Sequence, residues 1–122
     1  MPKILLIDDS AFARKTLKQL LGDQFSYAEA SDGLSGLEAY FLEHPDLVIL
    51  DITMPGVSGL EILQQLKTLD SQAKVIICSA DIQEYSRSRA MELGAAAFVG
   101  KPATAQSLLA AIQPALENKG GG

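Results

Sequence analysis

Three carboxylates, one hydroxyl and one ammonium stand just beyond short apolar runs in this chain. Asp8-Asp9 follow the run Ile4 to Ile7, and Asp51 follows Leu47 to Leu50. Ser79 follows Val75 to Cys78, and Lys101 follows Ala97-Phe98-Val99 with one glycine between. If these runs end at one edge of a sheet, the carboxylates repel. A pair 4 Å apart costs about 4 kcal/mol at an effective dielectric near 20. Such a cluster calls for a cation. An all-oxygen donor set with room for waters favours Mg²⁺ over a dedicated calcium cage or a zinc site. Magnesium beside a carboxylate, a hydroxyl and a lysine suits phosphoryl transfer, because metal and ammonium neutralise the oxygens of the transferred group. A carboxylate can accept that group as an acyl phosphate. Each residue also has a plainer role. Asp8 and Asp9 can cap the next helix, Asp51 can solvate a strand end, Ser79 can be a loop hydroxyl and Lys101 a surface cation. All of them falling at successive run ends speaks against the plain roles taken together.

The elements that must position these residues follow from the apolar pattern. The four runs are continuous rather than alternating, as in strands covered on both faces. Ser26 to Ala30 is a fifth, more polar candidate for an edge. Helical periodicity fills the gaps: Ala11 to Leu21, stopped by Gly22; Gly33 to Glu43, ended by His44-Pro45; Gly59 to Leu69; and Ile82 to Leu93, stopped by Gly94. Thr104 can cap a last helix through Leu116. Pro114 lies inside it, where its missing N–H costs about 3 kcal/mol, so a kink or early end is expected there. Strands alternating with helices imply a parallel sheet with helices on both faces. In such a sheet, ligands bind beyond the carboxyl ends of the strands.

Composition narrows the classes. The 122 residues make one domain, and 48% apolar with 20% charged residues suffices for an ordinary core. A net charge of −5 disfavours nucleic acid and anionic membranes as partners. Apolar runs of about four residues fall far short of the roughly 20 that a membrane span requires. The start, Met1-Pro2-Lys3, lacks a secretory cleavage pattern. A cytoplasmic location is therefore expected. The single cysteine, Cys78, excludes an internal disulfide and reads as an inert core residue, and His44 reads as a solvated turn residue. Residues 1–118 form the expected domain, with 119–122 as a flexible tail or the start of a linker.

Taken in order, these residues resemble the receiver domain of two-component response regulators, in its single-domain, chemotaxis-regulator-like form. The resemblance covers about residues 3 to 117. It rests on Asp8-Asp9, Asp51, Met54-Pro55-Gly56 with Gly59, Ser79-Ala80 and Lys101-Pro102. Asp51 follows Asp9 by 42 residues, Ser79 follows Asp51 by 28 and Lys101 follows Ser79 by 22, all typical of that family. The resemblance implies a doubly wound α/β fold with a five-stranded parallel sheet in the flavodoxin-like order 2-1-3-4-5.

It also implies roles. Asp51 is expected to be the phospho-acceptor, served by a histidine kinase or phosphotransfer protein. Asp8, Asp9, Asp51 and the backbone carbonyl of Thr53 are expected to hold Mg²⁺. Lys101 would bind the phosphoryl oxygens, and the Lys101-Pro102 bond is expected to be cis. Ser79 and Phe98 stand at the switch positions. Ser79 replaces the commoner threonine, and Phe98 has no phenol to satisfy when buried. Thr53 and Asp81 occupy positions that tune the lifetime of the acyl phosphate. The readout surface would comprise the fourth helix, fifth strand and fifth helix, with Tyr85, Arg87 and Arg89 as candidate partner contacts. The output would be a downstream protein target or a C-terminal output domain.

Other aspartyl chemistries fit less well. A haloacid-dehalogenase-type phosphatase wants a second Asp two residues after the first, where this chain has Thr53. A flavodoxin needs a glycine- and hydroxyl-rich phosphate loop where Asp8-Asp9 stand. Gly94 to Lys101 has five residues between its glycines and Pro102 after the lysine, unlike a nucleotide-binding loop. The remaining alternative is a phosphorylation-independent interaction module on the same fold.

Overall fold

The computed structural model describes residues 1–56 and 58–117. The expected tail, residues 119–122, lies outside the described residues. Ile4, Leu5, Leu6 and Ile7 are fully buried, and so are the residues of the second run. Chains with no polar face pair where helices cover both sides. The strands are β1 (Lys3–Ile7), β2 (Ser26–Ala30), β3 (Leu47–Leu50), β4 (Val75–Ser79) and β5 (Ala97–Gly100). All neighbours are parallel, in the order β2-β1-β3-β4-β5. The more polar β2 is an edge, as its composition predicts.

Helices α1 (Ala11–Leu21), α2 (Gly33–Glu43), α3 (Gly59–Leu69), α4 (Glu84–Glu92) and α5 (Ala105–Glu117) alternate with the strands. Alternate strand residues point to opposite faces, and two cores result. Leu5, Ile7, Val48, Leu50 and Ile77 pack with Ile62, Leu63 and Leu66 of α3. Ile4, Leu6, Ile49, Ile76 and Cys78 pack with Leu17 and Leu21 of α1 and Leu108 and Ile112 of α5.

Helix ends follow local chemistry. Gly22 closes α1 at φ 76°, and His44 closes α2 in the left-handed region at φ 50°. Thr104 caps α5: its hydroxyl accepts the Ser107 N–H at 3.0 Å while Ser107 Oγ accepts the Thr104 N–H at 3.0 Å. Two sequence expectations need correction. The fourth helix starts at Glu84 rather than Ile82, because Asp81 accepts the Gln83 N–H and holds the preceding residues in a turn. Of the two outcomes expected at Pro114, the early end does not occur, because α5 runs on to Glu117. Pro114 and Ala110 both face solvent, while Ile112 and Ala115 are buried. The carbonyl that loses its partner thus lies on the wet side, and the buried side holds the last turn.

Candidate functional site

The register sets the site. Ile7 pairs with both Ala30 and Leu50, and Leu50 pairs with Ile77. The ladder continues one step past the strand ends: the Asp8 N–H reaches the Ala30 carbonyl, the Asp51 N–H reaches the Ile7 carbonyl, and the Lys101 N–H reaches the Ser79 carbonyl. The residues after four apolar runs therefore stand side by side at one rim.

There Asp8, Asp9 and Asp51 each offer a carboxylate oxygen, and these oxygens lie within 4.8 Å of one another. Asp8 and Asp51 are buried; Asp9 is exposed. The Lys101 ammonium lies between the buried pair, 2.8 Å from Asp8 Oδ2 and 3.3 Å from Asp51 Oδ2. Burial alone would lower the Lys101 pKa, but its bond to Asp8 and the nearby charges outweigh that and raise it. Lys101 thus stays charged. Its peptide bond to Pro102 is cis, as expected. Asp51 Oδ1 is held by the Thr53 N–H at 2.9 Å and the Thr53 hydroxyl at 2.8 Å.

Local structure leaves these acids free for other work. Ser10, not Asp8 or Asp9, caps α1, its hydroxyl accepting the Ala13 N–H at 3.1 Å. Asp8 Oδ1 instead accepts the Ser10 N–H at 2.9 Å. After Asp51 the chain must turn tightly into α3, and Gly59 permits it. A Cβ there would lie 2.3 Å from Ile52 Cα and 2.6 Å from the Asp51 carbonyl oxygen.

The other predicted residues sit around this centre. Ser79 is fully buried, and its hydroxyl accepts the Asp81 N–H at 3.1 Å. The Asp81 carboxylate does not join the acidic group; it accepts the Ser86 hydroxyl at 2.6 Å and the Gln83 N–H. These two donors, Ser86 first, hold its pKa below the usual value. Phe98 is half-buried, and the Arg87 guanidinium lies 5.1 Å from its ring centroid. Tyr85 is exposed, and Arg89 is paired with Glu92 on its own helix. Cys78 is buried, which pushes its thiol up to about 11 and leaves it unreactive. His44 is exposed at the far end of α2.

Sequence reasoning passed over two neighbours. Arg14 on α1 bonds the main-chain carbonyl of Asp8. It stands six residues past Asp8, early in α1, with no pattern in the sequence to mark the contact. Phe12 is 78% exposed beside a cleft of about 390 Å³ that Thr16, Leu17, Ala80, Lys101 and Pro102 also line. An apolar residue so exposed at a helix start carries no periodic signal.

An all-oxygen cluster of three acids with a single ammonium between two of them suits a hard divalent cation. Such a set at the carboxyl edge of a parallel sheet can accept a phosphoryl group. The comparisons agree: the sequence matches the response regulator receiver domain family over residues 4–113, and the chain belongs to that family. Within it, the chain is CheY-like. It is 40% identical over 116 residues to the chemotaxis protein CheY of Bacillus subtilis, covering 93% of this chain and 97% of that one. It is 42% identical over 117 residues to CheY of Listeria monocytogenes, covering 94% and 98%. A solved receiver domain from Clostridium thermocellum superposes with a TM-score of 0.89 at 34% identity, covering 96% and 95%. The chain is thus a receiver domain of two-component signalling, a phosphorylation-accepting module rather than an ordinary enzyme. Among the described residues no helix is long and apolar enough to cross a membrane.

Proposed function

We propose that Asp51 takes a phosphoryl group from a histidine kinase or phosphotransfer protein and that the modified chain acts in the cytoplasm by docking. The observation that carries this is the Asp51 carboxylate, buried at the rim with Oδ1 fixed by Thr53 and Oδ2 facing Lys101. Asp8, Asp9 and Asp51 would hold Mg²⁺, with the Thr53 carbonyl as a further ligand. When bound, the metal supplies positive charge against the phosphoryl oxygens. An Asp51 oxygen forms the new bond to phosphorus as the donor's P–N bond breaks. The electron pair returns to the donor imidazole, which keeps its ring and takes up a proton. Lys101 pairs with the phosphoryl oxygens as charge develops there. The chain would catalyse only its own aspartyl phosphorylation and its dephosphorylation, in which water takes the phosphoryl group to inorganic phosphate and frees the Asp51 carboxylate.

The product carries about one more negative charge and three acceptor oxygens. Ser79 would leave the Asp81 N–H and donate to one of them. Asp81 also holds Ser86, next to Arg87 over Phe98. Movement of Ser79 would therefore bias the surface of α4, β5 and α5, with Phe98 as the switch aromatic. Thr53 and Asp81 would set how long the acyl phosphate lasts. The output is a protein target or a C-terminal output domain; neither nucleic acid nor membrane fits the charge.

Acetyl phosphate or beryllofluoride with Mg²⁺ should load Asp51, read by intact mass or amide NMR, and Asp51→Asn should abolish loading. A folded wild type that takes neither reagent refutes the proposal. Swapping Thr53 and Asp81 should change acyl-phosphate decay while leaving phosphorylation intact.

A further inference from the structure

Arg14 reaches the site from behind. Its Nη1 donates to the Asp8 carbonyl, and its Nε donates to Glu29 Oε1 of β2 at 2.9 Å. Glu29 Oε2 in turn accepts Lys18 Nζ at 2.8 Å. The Arg14 side chain is only 15% exposed. The Asp8 N–H is already tied to the Ala30 carbonyl. Arg14 thus holds the other side of Asp8, the peptide that joins Asp8 to Asp9. That peptide sets where both carboxylates start.

We propose that Arg14 is a positioning residue, clamped by Glu29, that fixes the Asp8–Asp9 peptide and thereby sets divalent-cation affinity and the preference for Mg²⁺ over Ca²⁺. This rests on the reading that Asp8, Asp9 and Asp51 hold Mg²⁺. The guanidinium suits the task because its donors diverge in a rigid plane. A lysine ammonium is a single point on a flexible stem and cannot hold the carbonyl and Glu29 in the same way. Groups that orient ligands from outside the coordination sphere typically change metal affinity 10–100-fold when removed. Charge and positioning predict opposite signs. As a cation behind an acidic cluster, Arg14 opposes metal binding, so loss of its charge alone would tighten it. As a clamp it favours binding, and its loss weakens it. Mg²⁺ demands near-ideal octahedral geometry while Ca²⁺ accepts a looser shell, so a loosened peptide penalises Mg²⁺ more.

The experiment is titration of the full chain with Mg²⁺ and with Ca²⁺, followed by calorimetry or amide NMR, with thermal unfolding in chelator measured separately. Arg14→Lys keeps the charge and loses the fork; Arg14→Gln loses both. Both should weaken Mg²⁺ about tenfold and Ca²⁺ by less. Glu29→Gln, which leaves Arg14 in place but loosens it, should weaken Mg²⁺ by a smaller factor and serves if the Arg14 variants fail to fold. Unchanged Mg²⁺ affinity in Arg14→Lys, tighter binding in Arg14→Gln, or equal losses for both ions would overturn the proposal, and a fall in stability alone would mark Arg14 as merely structural. A wild type that binds no Mg²⁺ overturns the metal assignment itself, and the role of Arg14 with it.

Discussion

Asp9 is the acid to remove first, because the sign of the effect is fixed by what surrounds it. It is exposed, and its carboxylate has no ion-pair partner within 4 Å among the described residues, while Lys101 serves Asp8 and Asp51. One carboxylate oxygen each of Asp8 and Asp51 lies within 4.8 Å of an Asp9 oxygen. At that distance a pair of unit charges costs about 0.9 kcal/mol in water-like dielectric and about 3.5 kcal/mol at an effective value near 20. Exposure puts Asp9 nearer the first figure, and the Lys101 ammonium between the other two acids offsets part of the repulsion. Asp9→Asn should therefore stabilise the metal-free protein by about 1 kcal/mol, a gain of about 3–5 °C in Tm for a chain of this size. Mg²⁺ should reverse the order. At a hundredfold excess over Kd, a ligand that binds only the native state adds about 2.7 kcal/mol. The wild type should gain that amount, and Asp9→Asn much less. Thermal and urea unfolding of both proteins, in chelator and in saturating Mg²⁺, gives all four numbers. An Asp9→Asn protein that is less stable in chelator would refute the crowding of the acids. One that keeps the full Mg²⁺ gain would remove Asp9 from the metal site.

Gly59→Ala should destabilise by about 1–3 kcal/mol in urea unfolding, because the added methyl meets rigid backbone at Ile52 and Asp51 rather than a flexible side chain. It should also slow acetyl-phosphate loading by shifting Asp51, and an unaffected variant would contradict the close approach. Ser79→Ala should still load beryllofluoride but lose the amide NMR shifts at Phe98 and along α4; full transmission would exclude the Ser79 route. Glu29 bears on acid stability. The Lys18 hydrogen bond, then the bond and charge of Arg14, outweigh burial and lower its pKa below 4.5. Its contribution is complete above that value and lost as pH falls through the lower native pKa. Glu29→Gln should therefore flatten the acid limb of stability against pH, and an unchanged slope would show the pairing to be inert.

The amino-acid sequence by itself determined the strands and the identity of the acidic rim, while the order of the strands in the sheet came from the resemblance. Continuous runs such as Ile4 to Ile7 have one stable fate, a strand covered on both faces, and the residue after each must emerge at the carboxyl edge. That is why Asp8, Asp9, Asp51, Ser79 and Lys101 could be collected without coordinates. Helix starts were less legible. Ser10 and Asp81 both compete for local backbone N–H groups: Ser10 takes the Ala13 N–H and caps α1, while Asp81 takes the Gln83 N–H and α4 starts at Glu84. Pro114 inside α5 was tolerated because burial of Ile112 and Ala115 outweighs one missing hydrogen bond on the wet side. Contacts between distant side chains belonged wholly to the tertiary structure. Lys101 meets Asp8 across 93 residues and Asp51 across 50. Arg14 reaches the Asp8 carbonyl, and Arg87 covers Phe98. Long cations have many rotamers and no periodic signal, so which oxygen or ring each one reaches is fixed only when the helices settle on the sheet.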